Sequence, residues 1–176
     1  MKATKKNINV RVMELEDLPA VYALGETVFT ADKWPSLYRT WDEYEAVSLF
    51  YSDGEFCFVA ECKDKLVGFA LGSFIDKRNT AWSYGYLTWL ATDPEQKRSG
   101  VATSLIAAIT DAFIRVGARM MIVDTDAENK EAIKLFRKHK FLNENRHIYL
   151  SKNLASHPKY KHKHVKKKPI RSRKVP

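Results

Sequence analysis

A short basic turn between an apolar strand and an amphipathic helix places the strongest constraint on how this chain can fold. Residues 84–92 are apolar and aromatic, which predicts a buried strand, and residues 104–117 have the periodicity of a helix. The turn between them contains Lys97, Arg98 and Gly100. The first backbone N–H groups of a helix lack internal partners and carry partial positive charge, and small residues let an anion reach them. We therefore predict a site for the pyrophosphate of a nucleotide-containing ligand.

The charge distribution indicates one folded domain followed by a basic tail. A chain of 176 residues can form one domain with a sizeable core. Residues 152–176 carry ten of the 30 lysines and arginines and no acid, which leaves 20 basic and 21 acidic side chains in the first 151 residues. We predict a domain over residues 1–154 and a disordered tail over residues 155–176. The tail could contact nucleic acid or a ribosome weakly by counterion release, although a solvated tail without a specific partner is the alternative.

The remaining composition suggests a cytoplasmic location. No apolar run is long enough to span a bilayer, and the lysine-rich N-terminus lacks the apolar segment of a secretory signal. Cys57 and Cys62 are five residues apart in a predicted strand, so they should face opposite sides and not form a disulfide. We expect no membrane contact, no metal, and a monomer or a homodimer.

The predicted elements follow the order β-α-α-β-β-β-α-β-α-β, an α+β or mixed α/β arrangement. Strands are expected at residues 8–13, 56–62, 66–75, 81–92 and 118–125, helices at 17–29, 41–51, 104–117 and 129–139, and a last strand or strand pair at 141–154. Because a helix connects the strand ending at Thr92 to the next one, these two strands should be parallel. Gly68 and Gly72 indicate a bulge or a close backbone approach.

Three motifs in this order resemble those of the GNAT acetyltransferase superfamily. They are residues 90–94 (Leu-Ala-Thr-Asp-Pro), residues 97–102 (Lys-Arg-Ser-Gly-Val-Ala) and residues 129–141, which begin with Asn and end with Phe. The resemblance extends from Ile8 to Leu154. Within the superfamily, the sequence is similar to the branch that acetylates the N-terminal alanine of ribosomal proteins. It implies a mostly antiparallel sheet with one splayed parallel strand pair and flanking helices. It also implies transfer of acetyl from acetyl-coenzyme A to a primary amine, by direct attack in a ternary complex.

The same resemblance implies the coenzyme-binding residues. They are Leu90, Ala91, Thr92, Lys97, Arg98, Ser99, Gly100, Val101, Ala102, Thr103, Asn129 and Phe136. The backbone of residues 90–92 would pair with the pantetheine arm, and the N–H groups of residues 98–103 would hold the pyrophosphate. Four residues depart from the family pattern: Lys97 stands where Arg or Gln is usual, and Ser99 replaces a common basic or small residue. Phe136 replaces a tyrosine that many members use as general acid toward the thiolate, and Lys140 replaces a glycine.

Asp124 is the leading candidate for the general base that removes a proton from the acceptor amine. Members that acetylate protein N-termini are similar in having a carboxylate there, usually Glu; a solvated strand-end acid is the alternative. Asp126 and Glu128 are weaker candidates.

Four aromatic residues are candidates for acceptor binding, namely Trp34, Tyr38, Tyr84 and Tyr86. Trp34 and Tyr38 lie between the first two helices, where the family binds the acceptor. Tyr84 and Tyr86 should share one face of the central strand with Thr88, although core packing is an alternative for them. A protein or peptide N-terminus is the favoured acceptor, with lysine or a small amine as alternatives. A non-enzymatic RNA- or ribosome-associated protein of the same fold is a hypothesis of a different class.

Overall fold

A five-stranded sheet with the order β1-β2-β3-β4-β5 forms the centre of the fold, in a computed structural model that describes residues 7–30, 40–77 and 82–160. The strands are β1 (Asn9–Val12), β2 (Cys57–Cys62), β3 (Lys65–Asp76), β4 (Ser83–Thr92) and β5 (Met120–Val123). The helices are α1 (Leu18–Val28), α2 (Glu43–Asp53), α3 (Val101–Arg115) and α4 (Lys130–Lys138). The first four strands pair antiparallel, and β4 and β5 are parallel. The predicted mixed α/β fold class is confirmed.

Helices cover both faces of this sheet. On one face, Leu105, Ile109 and Phe113 of α3 pack into a core cluster that also contains Phe136 of α4. On the other face, α1 and α2 close a second cluster, to which Val21 belongs. In none of the described ranges does a helix have the length and apolar content needed to cross a bilayer.

Glycines in β3 allow α3 to lie close against the sheet. A Cβ atom on Gly68 would come within 2.6 Å of Val101 Cγ1, and one on Gly72 within 2.8 Å of Ile109 Cδ1. The predicted close approach at both glycines is therefore confirmed. Because Val101 is the first residue of α3, the contact at Gly68 fixes where this helix begins relative to the sheet.

An aromatic cluster joins α1 and α2 to the central strand. The ring centroid of Trp41 lies 5.5 Å from Phe29, 5.3 Å from Phe69 and 5.1 Å from Trp89. Trp41 Nε1 also donates to the Tyr22 carbonyl at 3.1 Å. Residues 31–39 lie outside the described residues. Phe29, which precedes them, and Trp41, which follows them, both pack against Trp89 of β4.

The predicted strand within residues 141–154 is wrong. Residues 141–160 contain no helix or strand, and Leu142 and Ile148 are largely exposed. The polar run at residues 143–145 interrupts the apolar pattern that a strand needs, and Glu144 instead pairs with Arg137 of α4 at 2.5 Å. Residues up to Arg146 and residues from His147 form separate units. The domain end at residue 154 stays a prediction.

The end of α4 shows why a glycine would suit position 140. Lys140 has a φ of +70°, a left-handed conformation that side-chain-bearing residues adopt at a steric cost. The N–H of Phe141 donates to the Phe136 carbonyl at 3.1 Å, which closes the helix end in the manner of a glycine-terminated helix. The backbone geometry typical of a glycine is thus retained although the glycine is not.

Replacing Lys140 by glycine is expected to raise the free energy of unfolding by about 1 kcal/mol, because glycine removes this steric cost. Urea unfolding followed by circular dichroism measures the change. Lys134→Gly is the matched control, since it removes another exposed lysine from the interior of α4, and it should lower stability by about 1 kcal/mol. A loss of stability in both variants would contradict the strain assigned to Lys140.

Candidate functional site

The two parallel strands separate part-way along β4. They pair from Tyr84 with Met120 to Leu87 with Val123, where β5 ends. β4 continues to Thr92 and stays paired with β3 along its other edge. Across the described ranges, no strand pairs with the β5-side edge of residues 90–92. The structure therefore has the predicted splayed pair, with an open backbone edge to which an extended ligand could add.

A bulge in β4 lies at the point of separation. Leu71 pairs with Trp89, whereas Gly72 pairs with Leu87, so Thr88 is an extra residue in β4. As a result, Leu87 packs on the α3 side of the sheet, whereas Trp89, two residues later, packs on the α1 and α2 side. Simple alternation of the two faces therefore fails at Thr88, and the placement of Thr88 beside Tyr84 and Tyr86 on one face stays a prediction.

Tyr86 and Asp124 meet where β4 and β5 diverge. The phenol of Tyr86 donates to Asp124 Oδ1 at 2.5 Å. Tyr86 is opposite Ile122 in the parallel ladder, and Asp124 directly follows the last residue of β5. Tyr86 is half-buried and Asp124 is exposed. The hydrogen bond holds a carboxylate at the mouth of the gap, where an incoming amine could reach it.

The other predicted acceptor residues have different surroundings. Tyr84 lies further from the divergence, and the Lys77 ammonium is 5.9 Å from its ring centroid. Trp34 and Tyr38 lie outside the described residues. The structure therefore brings Tyr86 to the candidate base, and it pairs Tyr84 with a cation at the opposite end of β4. Asp126 instead accepts a hydrogen bond from the Glu128 N–H at 2.8 Å and shapes the turn before α4.

The N-terminus of α3 has the properties predicted for an anion site. The helix begins at Val101, three residues before the predicted start, so the N–H groups of Val101, Ala102 and Thr103 are its first three; we call these groups the anion site. The residue before them, Gly100, has a φ of +94° and offers no capping side chain, and the first turn contains no acid. A Cβ at Gly100 would meet no described atom within 4 Å, so a ligand has room to approach.

Hydrogen bonds within the preceding turn involve residues that were expected to contact the coenzyme. Ser99 Oγ donates to the Gln96 carbonyl at 2.6 Å, so this hydroxyl proton points into the turn. Lys97 Nζ is 3.8 Å from Glu131 of α4, and both side chains are well exposed. Arg98 has a left-handed backbone with a φ of +64°. The Lys97 ammonium is therefore directed toward α4.

Two predicted coenzyme residues have structural roles in α4. Asn129 Oδ1 accepts a hydrogen bond from the Ala132 N–H at 3.1 Å and caps the helix. Phe136 is 8% exposed, and its ring lies edge-on to Phe141 at 5.5 Å. The phenylalanine ring thus belongs to the core and carries no proton donor.

Sequence reasoning missed two contacts because they join residues far apart in the chain. Glu45 Oε2 of α2 accepts from Trp89 Nε1 at 3.0 Å, next to the bulge. Nε2 of His139 lies 3.3 Å from the Thr103 hydroxyl. A pattern of residues along one element contains no signal for such pairs.

The two cysteines lie in different layers of the fold. Burial raises the pKa of the Cys57 thiol to about 12, and Cys62 lies in the opposite layer, as predicted from their spacing. Within residues 7–30, 40–77 and 82–160, no three histidine, cysteine or acidic side chains are grouped to hold a metal ion.

Comparison with protein families agrees with this geometry. The sequence model of the Acetyltransferase (GNAT) family matches residues 26–141, which include β4, the turn, α3 and α4. This chain belongs to the GNAT acetyltransferase family. The predicted family is confirmed, and the predicted enzyme class, an acetyl-coenzyme A-dependent N-acetyltransferase, agrees with it. The open edge of β4 and the anion site fit this cosubstrate, which has an extended arm and a diphosphate.

Individual relatives of this acetyltransferase are more distant. N-alpha-acetyltransferase 30 of Homo sapiens is 27% identical over 92 residues, which are 52% of this chain and 25% of the relative. The chain thus matches about a quarter of that protein. Among solved structures, the aminoglycoside acetyltransferase AAC(6')-Iy in complex with a coenzyme A bisubstrate analogue is 22% identical, with a TM-score of 0.66 over 84% of this chain and 99% of that chain. Ard1 from Thermoplasma volcanium is 20% identical, with a TM-score of 0.62 over 75% and 80%. Both structures share the fold.

Gly100→Ala is expected to weaken coenzyme A binding by roughly tenfold, the equivalent of one charge-assisted hydrogen bond, because a methyl group obstructs the anion site. Gly117→Ala is the matched control. Gly117 follows the other end of α3 and has a φ of +83°, and a Cβ atom there would also meet no described atom within 4 Å. Both variants should lose about 1 kcal/mol of stability. Isothermal titration calorimetry measures the affinities, and equal affinities in the two variants would contradict the placement of the anion site.

Proposed function

We propose that this acetyltransferase transfers the acetyl group of acetyl-coenzyme A to the α-amino group of a protein or peptide, with Asp124 as the general base. The observation that carries the proposal is the hydrogen bond from Tyr86 to Asp124 at the divergence of β4 and β5. The similarity to N-alpha-acetyltransferase 30 supports an α-amino acceptor. A cytoplasmic location is part of the same proposal.

The coenzyme would be held mainly by backbone groups. The anion site would bind the diphosphate, with Lys97 and Arg98 adding positive charge nearby. The β5-side edge of residues 90–92 would pair with the amide-containing arm. In this arrangement the side chain of Asn129 supports the coenzyme site through the start of α4, whose first turn it caps.

Acetyl transfer requires a neutral amine, because an ammonium ion has no lone pair. The amine nitrogen attacks the thioester carbonyl carbon and a C–N bond forms. The C–S bond breaks, and coenzyme A leaves as the thiolate. The amine proton passes to the Asp124 carboxylate through a water molecule, since an aspartate is one methylene shorter than the glutamate usual in the resembling enzymes. A backbone N–H of Leu90 or Ala91 stabilises the oxyanion. Tyr86 orients the carboxylate.

Asp124→Asn is expected to lower kcat/KM for a peptide acceptor by roughly 100-fold at pH 7. The loss should be smaller at pH 9, because an α-amino group with a pKa of about 7.7–8.0 is then largely neutral. Tyr86→Phe keeps the ring and removes the donor, so it should give a smaller loss. Rates of thiol release between pH 6.5 and 9 measure both effects.

Asp126→Asn is the matched control for this experiment. It changes an exposed carboxylate two residues away and keeps the oxygen that accepts from Glu128. Its activity should equal that of the wild type. A large loss in Asp126→Asn together with none in Asp124→Asn would assign the base to Asp126 instead.

A panel of amines distinguishes the possible acceptors. We expect faster thiol release with peptides that have a free N-terminus than with N-acetylated peptides whose only amine is lysine, or with polyamines and aminoglycosides. Preference for any of the latter three would replace the α-amino assignment. The second candidate function, RNA or ribosome binding through the basic residues 152–176, predicts no acyl transfer and salt-sensitive RNA binding by the same preparation.

A further inference from the structure

The imidazole of His139 lies beside the anion site. Its Nε2 atom is 3.3 Å from the hydroxyl of Thr103, the third residue of α3. His139 directly follows the last residue of α4, and its ring is partly exposed. The backbone N–H of Thr103 belongs to the anion site, so a ligand bound there would lie close to a titratable ring that can donate from either nitrogen when protonated.

The charged groups on the elements that meet at His139 are predominantly basic. The first turn of α3 contains no charged side chain, and the turn before it contributes Lys97 and Arg98. Next to His139 in sequence are Lys138 and Lys140. The acid of the first turn of α4, Glu131, pairs with Lys97. Among the described residues, no carboxylate forms a hydrogen bond with the His139 ring that would stabilise its protonated form.

This environment determines the protonation state before a ligand binds. Partial burial, and secondarily the charge of Lys138, hold the pKa of His139 below its usual value of 6.5. The neutral form of the ring is therefore favoured in the free protein. A diphosphate bound at the anion site would supply the negative charge that the site lacks, and a nearby opposite charge favours the protonated form.

We propose that His139 takes up a proton when the coenzyme diphosphate binds and donates a hydrogen bond to it, so that coenzyme affinity rises as pH falls. The inference rests on the coenzyme site proposed above. Its pH range follows from the sign of the effect. Above the pKa of His139 in the complex the ring is neutral in both states and adds nothing. Affinity increases as pH falls below that value, and it levels off below the pKa of the free protein.

Calorimetric titration of the full chain with dephospho-coenzyme A tests this inference. This probe keeps the diphosphate but lacks the 3′-phosphate, whose second pKa near 6 would add its own pH dependence. The wild type should bind roughly two- to fivefold more tightly at pH 5.5 than at pH 8, the range of one partly exposed ion pair. Titrations in buffers of different ionisation enthalpy should show net proton uptake between these limits.

Three variants provide the comparison. His139→Gln keeps a polar group beside Thr103 but cannot be charged, so it should lose both the pH dependence and the proton uptake. His147→Gln, which removes an exposed histidine from the second unit, should retain them. Lys138→Gln removes the charge that opposes protonation and should move the rise in affinity to higher pH.

The outcomes separate this inference from the proposed site. Unchanged pH dependence in His139→Gln would overturn the role of His139 and leave the anion site intact. Absence of binding by folded wild-type protein at every pH would overturn the coenzyme site, and the inference with it. An unshifted profile in Lys138→Gln would also count against His139 as the titrating group.

Discussion

The unequal pairing of the two edges of β4 is the constraint on which the rest of this structure depends. One edge pairs with β3 along the whole strand, whereas the other pairs with β5 only as far as Leu87. Backbone N–H and C=O groups without a hydrogen-bond partner destabilise the folded protein unless water or a ligand bonds to them. A ligand with alternating amide groups can replace the missing strand. α3, which connects β4 to β5, is packed against Gly68 and Gly72 of β3.

The coenzyme half and the acceptor half of the candidate site are built from different groups. The proposed coenzyme half consists of backbone N–H groups at the start of α3, which exist whatever side chains surround them. Departures from the resembling family at Lys97 and Ser99 therefore leave it intact, since these side chains bond to Glu131 and Gln96. The acceptor half consists of side chains, Tyr86 and Asp124, so single substitutions there should alter the chemistry.

Local signals predicted most of the fold, and long-range contacts account for what they missed. The turn at Gly100, the parallel strand pair and the close approach at Gly68 each follow from short runs of sequence. The bulge at Thr88 does not, because it depends on the register between β3 and β4. The hydrogen bond between Tyr86 and Asp124 joins residues 38 positions apart. The apolar residues of 141–154 predicted a strand, but a strand also needs a partner edge, which the sequence does not specify.

The lack of an acid at Phe136 bears on which amine this site can acetylate. A thiol with a pKa near 8.5 can leave as thiolate without protonation, so the harder requirement is a neutral nucleophile. An α-amino group has a pKa about 2.5 units below that of lysine, which makes deprotonation roughly 3.4 kcal/mol less costly. An exposed aspartate that acts through water, the role proposed for Asp124, would provide modest assistance. A site with this base and no proton donor at Phe136 therefore matches an α-amino acceptor better than a lysine side chain, which would need a stronger base or a more desolvated environment.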